Sequence, residues 1–481
     1  MAYRHGVYIQ ELPTALIPMR TLYARMPVVV GTAPVHILEG GADLPVNKPV
    51  LCFSKDEFVA AFKDSTDLAS FTLCEAAEVL LTLYRVAPVV FINVLDPAKH
   101  KAAVAEADYT FAAGVITLAH TYPLNLVVKS ADGATTYTAG VDYTVNRIGG
   151  VVTRLADGAI AAEATVKVSY DRIDPGAVTV DDIIGGVDPE TGAKTGLELV
   201  DSIFPRFRLI PGQLLCPGWS IHPEVAIYLA AKSVNINGFF RAAALVDVPP
   251  DGEGAPAGYT GVPAWKNDYN YTDEDLIVCW PKVKVGEKTH WLSTHLAGLC
   301  LDIDEANEDI PFVSPSNKRL NITGADHAGQ ELWLGPEQAN YLNSEGIVTV
   351  LNFDGGWKAW GNRTGVYPSN TDPKDSFIPV RAMFNWLHNT LTLSFWNRVD
   401  YPLRRRHVHT IVDSANIWLN GLAAREVILG GRCAFLEVEN PLTDLMDGIA
   451  RFHVWFTPPS PNRVIEFITE YDPNYQSVLF T

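Results

Sequence analysis

Basic residues are scarce in this chain. Thirty-seven Lys and Arg stand against 55 Asp and Glu, a net charge of −18, and such a balance opposes a general nucleic-acid role because a phosphate backbone is drawn to positive surfaces. Long apolar runs are missing too. Stretches such as VVFINVL break within seven or eight positions, short of the roughly 18 apolar residues a membrane-spanning helix needs. A soluble chain without membrane insertion is therefore expected. The six cysteines, at 52, 74, 216, 279, 300 and 433, are scattered singly with no C-x-x-C, which excludes the usual zinc spacings and fits reduced thiols in a cytoplasm. The opening MAYRHGVYIQELPTALIPMR lacks the charged start, apolar core and small-residue cleavage site of a secretory leader.

Motifs of catalysis and cofactor binding are also wanting. The loop GGVDPETGAKTG, Gly185 to Gly196, is glycine-rich, but Ala193 stands where a phosphate loop needs its lysine. DIDEANEDI, Asp302 to Ile310, opens like a calcium loop, yet Asn307 replaces the turn glycine and no glutamate closes the loop. His407 and His409 could share a strand face, but Arg404, Arg405 and Arg406 beside them would repel a cation. No Gly-x-Ser-x-Gly elbow occurs, and Ser220 with His222 is a pairing common by chance. WGNRTG, Trp360 to Gly365, carries an Asn-x-Thr glycosylation pattern, which would require secretion. No cofactor, metal or catalytic residue is assigned.

What is present is an alternation. Residues 1–26 read as an arm, with GVYIQEL a lone strand-like piece after His5 that Pro13 and Pro18 cut off. From Pro27 onward, MPVVVGTAP, the helically spaced LASFTLCEAAEVLLTLYRV and PVVFINVLD form a β-α-β series. Residues 108–172 switch to short Val-, Thr- and Tyr-rich segments divided by Asp-Gly and Gly-Gly turns, the pattern of a small all-β insertion on the surface. Alternation resumes over 173–352. The remainder, 353–481, begins with two helical stretches and closes with the strands GIARFHVWF, VIEFITEY and YQSVLFT. In the first of these, Ala450, Phe452, Val454 and Phe456 share a face. The fold class expected is α/β: a discontinuous α/β domain over 27–107 and 173–352, the all-β insertion facing outward, and a mixed α/β C-terminal domain carrying extended N- and C-terminal arms.

Four ordered segments then carry a resemblance. IIGGVDPETGAKTGLELVDSIFPRFRLIPGQLLCPGW, VSPSNKRLNITG, VTVLNFDGGWKAWGNRT and DGIARFHVWFTPPSPNRVIEF resemble the landmarks of contractile tail sheath proteins of P2-like phages and R-type pyocins, and the likeness runs from YRHGVYIQEL to the last strand. The insertion is the main departure. The resemblance implies a structural, non-enzymatic subunit with an α/β domain similar in topology to subtilisin-like proteases. Such a subunit stacks with itself as hexameric rings around a tail tube protein, meets baseplate and tail terminator proteins, and contracts to drive the tube through a bacterial envelope. It would assemble in the host cytoplasm and reside in the virion tail, or in a headless injection device. WGNRT then reads as architecture at the entrance to the C-terminal domain.

Unpaired strand edges recruit other chains, so the arms, with Val7, Tyr8, Ile9, Val478, Leu479 and Phe480, are the expected contacts between subunits. Arg398, Arg404, Arg405 and Arg406, basic in an acidic chain, are the expected contacts to an acidic tube. An α/β hydrolase, from the alternation alone, and an adhesion module, from the insertion, are the rival readings.

Overall fold

A computed structural model describes residues 17–20, 22–38 and 43–480. GVYIQEL, with Val7, Tyr8 and Ile9, lies outside the described residues.

The continuous apolar runs become the middle of one eight-stranded sheet, in the order Trp357–Trp360, Ile347–Asn352, Leu276–Cys279, Ala243–Asp247, Gln213–Leu215, Pro27–Gly31, Val89–Asn93 and Pro49–Cys52. The six inner strands run parallel and the two edge strands antiparallel. Parallel strands lie buried on both faces, which is why Val28, Val29, Val30, Val90, Phe91 and Ile92 are almost wholly inaccessible. Helices Thr72–Ala77, Pro223–Val234 and Leu292–Glu305 pack on the sheet and complete its core. The chain is thus a mixed α/β protein, as the alternation predicts.

The Trp357–Trp360 segment, read from sequence as part of a loop in the C-terminal region, pairs Trp360 with Thr349 and Trp357 with Asn352 and closes the sheet. The WGNRT residues beyond it form a joint. The Arg363 guanidinium lies 3.7 Å from the Phe377 ring centre and 4.3 Å from that of Tyr367, and its Nη1 donates to Ser376 Oγ at 2.6 Å. Thr364, the threonine of the glycosylation pattern, is buried and donates its hydroxyl to the Asp375 carbonyl at 2.7 Å. Gly361 sits at φ +135°, where an added Cβ would stand 3.0 Å from Val348 Cα, so a glycine is needed at this turn.

The joint leads into helix Ile378–Phe395, which is pinned to the amino ends of the parallel strands. Buried Arg381 reaches Asp375 at 3.2 Å and Asn385 at 3.0 Å, and Asn385 donates to Asp275 at 2.8 Å. Burial raises the Asp275 carboxyl, and the Asn385 and Arg381 contacts offset part of that shift. Asn389 exchanges two bonds with the Arg241 backbone, at 2.9 and 2.8 Å. With every partner buried or half-buried, the α/β sheet and this helix behave as one body.

Helix Arg405–Ala424 buries Ile411, Ala415, Leu419 and Leu422, one stripe at helical spacing. The stripe meets Met383, Trp386 and Leu387 of the first helix, together with Cys433 and Phe456 of a two-stranded sheet.

The all-β region has its own core around Phe111, Ile116, Val128, Tyr143, Val152 and Val166. Its first strand is Lys101–Thr110, pairing along its length with Thr165–Ile173, so the region leaves and rejoins the body on neighbouring strands. The strand begins at Lys101, ahead of the expected 108, over residues 101–108 in which Val104 is the only β-branched or aromatic side chain and the strand signal is weak. Arg147 ties it to the body by donating to the His36 carbonyl at 2.9 Å.

Two expected strands are not formed. VIEFITEY has no regular structure, and the closing residues form a 3-10 helix at Pro473–Phe480. A strand needs a neighbouring strand for its N–H and C=O groups, and among the described residues no strand pairs with either segment. His407 and His409, weighed above as strand residues, lie on helix Arg405–Ala424 two positions apart and so point to different sides.

Candidate assembly surfaces

In open α/β sheets a ligand site is expected where the strand order reverses, at the carboxyl ends of the strands. Here the reversal falls between Pro27–Gly31 and Gln213–Leu215, and its crevice is filled. Thr32 and Thr72 bond one another, and an added Cβ on Gly218 would meet the Trp291 ring at 3.3 Å. Glu75 accepts from the Trp291 N–H at 2.8 Å. Asp247, at the end of its strand, accepts from Ser293 N at 3.0 Å and from the Ser293 hydroxyl. Burial pushes the Glu75 carboxyl up to about 8 and that of Asp247 up to about 6. Ser220 is buried; its Oγ accepts from Asp247 N at 3.1 Å, and no bond joins it to His222 among the described residues. The enzyme-like alternation thus ends in packing. The glycine-rich loop 185–196 likewise folds on itself: Asp188 accepts from Glu190 N and Thr191 Oγ1, and Lys194 pairs with Asp201 at 2.9 Å.

The surfaces that remain incomplete lie in the C-terminal part. Among the described residues, strands Gly430–Ala434 and His453–Thr457 pair only with each other, from Gly430 opposite Thr457 to Ala434 opposite His453. A two-stranded ribbon is marginal without a packing surface. Helix Arg405–Ala424 supplies one through Asn416, whose Oδ1 accepts from Cys433 N at 2.7 Å and whose Nδ2 donates to Cys433 O at 2.9 Å. Among the described residues no strand lies along the outer edge of either member. Asn416 caps one edge at Cys433, and the His453–Thr457 edge carries no such cap.

After Thr457 the chain runs along the body before its exposed stretch: Pro458 is buried, and 459–465 line a cleft with Phe312, Lys318, Trp360 and Arg363. Residues 458–472 carry no strand or helix, and Val464, Ile465, Phe467 and Ile468 are exposed. Val478 and Leu479 are exposed as well. At the other end, Ile17 N donates to Ser414 Oγ at 2.9 Å and Arg20 N to Ser394 Oγ at 3.0 Å, so the N-terminal segment enters across the same two helices. Arg25, buried, anchors its root: Nη2 donates to the Pro311 carbonyl at 2.9 Å and Nε lies 3.2 Å from Asp304. Asp304 is pushed up to about 7 by burial, against the pull of Arg25.

The four arginines flank the connection 399–403 between two helical elements. Arg398 closes Trp396–Arg398 with its guanidinium 5.3 Å from the Tyr401 ring centre. Arg404 is the N-cap residue of helix Arg405–Ala424 and Arg405 and Arg406 begin it, all three exposed, with no side-chain cap and no acid in the first turn. Cations are disfavoured at the positive end of a helix dipole, so this arrangement is costly to the isolated chain and concentrates a positive field at its surface.

Similarity to known proteins falls on the same whole-chain architecture. The chain is 31% identical over 484 residues to the tail sheath protein of Burkholderia phage BcepMu, covering 98% of each. It is 30% identical over 144 residues to the major tail sheath protein of Serratia phage KSP20, covering 30% of this chain and 35% of that one. A family model described as a protein of unknown function, UCP028589, matches residues 96–180, the all-β region. Among solved structures, the fold matches an extracellular contractile injection system, the PVC sheath complex in its contracted state, with TM-score 0.59 at 12% identity over 99% of both chains. It also matches the contracted helical sheath of the anti-feeding prophage, with TM-score 0.58 at 14% identity over 98% of this chain and 100% of that one.

Proposed function

The chain belongs to the tail sheath protein family, and from that premise we propose that it stacks as hexameric rings around a tail tube and shortens in concert to drive the tube through a bacterial envelope. Its place is the virion tail, as a subunit of a contractile sheath. The observation that carries the finer reading is the two-stranded sheet Gly430–Ala434 and His453–Thr457, which no third strand joins among the described residues. Strand addition from neighbouring copies completes such a sheet with main-chain bonds. Val7, Tyr8 and Ile9 from one end, and Val478, Leu479 and Phe480 from the other, are the proposed lent segments. The 3-10 turn at Pro473–Phe480 is then a resting form that extends on pairing.

Contraction moves rigid bodies linked by flexible arms. The Arg381–Asp375–Asp275 joint keeps each body intact while 458–472 bends. No nucleotide enters this scheme, the energy being stored at assembly, and the role is structural rather than enzymatic. Arg398, Arg404, Arg405 and Arg406 are the proposed grip on an acidic tail tube protein; baseplate and tail terminator proteins cap the ends, with assembly in the host bacterial cytoplasm. The all-β region is proposed to decorate the outside. A headless injection device is the second reading, favoured by the full-length match to the PVC and anti-feeding prophage sheaths. Electron microscopy of the purified protein tests the proposal: hollow tubes with six-fold cross-section are expected, and a protein that stays monomeric at high concentration contradicts it.

A further inference from the structure

A second incomplete surface lies away from the open sheet. Phe204 and Pro205 of helix Ile203–Phe207, the turn Asn237–Phe240 and the end of helix Ile378–Phe395 enclose a cleft of about 640 Å³. Its walls are aromatic. Phe239 and Trp396 are 55% and 54% exposed and meet edge-on at 4.9 Å, while Phe204 lies 4.8 Å from Phe240. Arg20 and Arg208 stand at its rim, neither in an ion pair among the described residues, and Asn237 Nδ2 is buried without a hydrogen-bond acceptor. The cleft is therefore apolar, positively rimmed and short of one acceptor. A cleft of this size and lining buries side chains from a partner.

The same chain carries a knob of opposite character. Between the two C-terminal strands, residues 435–452 make a compact excursion held by Asn440. Its side chain is buried, accepts from Arg451 N at 2.7 Å and donates to the carbonyls of Leu436 at 2.7 Å and Arg451 at 3.0 Å. Arg451 pairs with Asp444 at 2.5 Å, and His453 with Glu439 at 2.6 Å. This fixed scaffold displays Val438, Leu442 and Met446, which are 86%, 78% and 88% exposed. Large apolar side chains so displayed on a built loop mark a contact site. Around them stand four acids; Asp444 and Glu439 are engaged by Arg451 and His453, while Glu437 and Asp447 form no ion pair among the described residues.

We propose that the knob of one subunit seats in the aromatic cleft of another, Leu442 and Met446 against Phe239 and Trp396, with Glu437 and Asp447 of the knob facing Arg20 and Arg208. Copies that each carry −18 charges repel on average, so close contact between them is favoured where the local sign reverses within a Debye length. Cleft and knob are such a pair, and both are preformed, so little ordering entropy opposes their docking. The contact joins two different surfaces, the kind that propagates a helical array instead of closing a dimer. This rests on the sheath reading and adds to it a contact that the arms do not make.

All six native cysteines are buried, so engineered surface thiols report alone. Phe239→Cys and Met446→Cys in one chain, assembled into tubes and oxidised, should give a ladder of covalent oligomers under non-reducing denaturation, and either single variant should not. Tubes without that ladder overturn the proposal while leaving the sheath reading standing, whereas native protein that forms no tubes overturns the sheath reading. A ladder from Phe239→Cys with Leu479→Cys instead would assign the cleft to the tail arm and overturn the knob. Should the double-cysteine chain fold without assembling, Arg208→Glu decides. It should raise the critical concentration for tube formation about tenfold, the factor that about 1.4 kcal/mol per contact gives, and Glu437→Arg in the same chain should restore it. An unchanged critical concentration overturns the proposal.

Discussion

Asn416 holds both backbone groups of Cys433, accepting from its N–H at 2.7 Å and donating to its carbonyl at 2.9 Å. Beside the apolar stripe that meets Cys433 and Phe456, this side chain fixes the open sheet to the helix that begins with the arginine cluster. Asn416→Ala would leave a half-buried N–H and C=O without partners, at about 1–3 kcal/mol. Asn416→Asp keeps the acceptor and loses the donor, and should fall between. Urea unfolding of the three proteins checks the order; equal midpoints would show that the sheet does not depend on the bond.

Glu75 makes stability depend on pH. Its folded-state carboxyl, raised to about 8 chiefly by burial, lies above the unfolded value near 4.3. The stabilising contribution is therefore complete below about pH 4 and is lost as pH rises through 8. Between these limits the slope for one proton is about 1.4 kcal/mol per pH unit. Glu75→Gln keeps an acceptor for Trp291 N–H and removes the titration, so its unfolding free energy should overtake that of the native protein as pH rises from 5 to 8.5. Parallel pH profiles for the two would refute the assignment.

Charge reversal at Arg404, Arg405 and Arg406 should leave sheath-only tubes intact and weaken assembly on the inner tube, most at low salt, where the new repulsion is least screened. Because three cations leave the positive end of a helix dipole, the folded subunit should gain up to about 1 kcal/mol per residue. Co-assembly assays across ionic strength, paired with thermal unfolding, check both halves. Unchanged co-assembly at low salt would end the tube-contact proposal.

The all-β region should be removable at its base, where Asp174 N donates to His100 O at 3.0 Å. Joining His100 to Asp174 through a short glycine linker should give a soluble, polymerising protein, since the region carries its own core. Insoluble product from several linker lengths would show that the body depends on it.

The legible parts of this fold were those whose partners are local or whose burial is total. MPVVVG and VVFINV announce parallel strands because two buried faces demand continuous apolar residues. KAAVAEADYT hides a ten-residue strand because its pairing with Thr165–Ile173 supplies what its composition does not. Trp357–Trp360 hides behind Gly355 and Gly356, whose turn signal outweighs a four-residue strand. VIEFITEY and YQSVLFT read as strands from composition, yet composition cannot supply the neighbour that a strand requires. The cleft was invisible for another reason: Phe204, Phe239 and Trp396 are distant in sequence, and only the folded packing of helix Ile378–Phe395 on the sheet, held by Arg381 and Asn389, brings them together.

Removal of the arms tests the central claim most directly, that neighbouring copies complete the open C-terminal sheet. Chains lacking residues 1–12, or 476–481, should unfold within a few degrees of the native protein and remain monomeric where the native protein forms hollow tubes by electron microscopy. A lent strand of about five residues brings some four or five main-chain bonds at roughly 1 kcal/mol each, enough to decide between monomer and polymer when repeated at every subunit. Truncated chains that still build normal tubes, or that unfold because the arm belonged to the subunit's own core, would contradict the account.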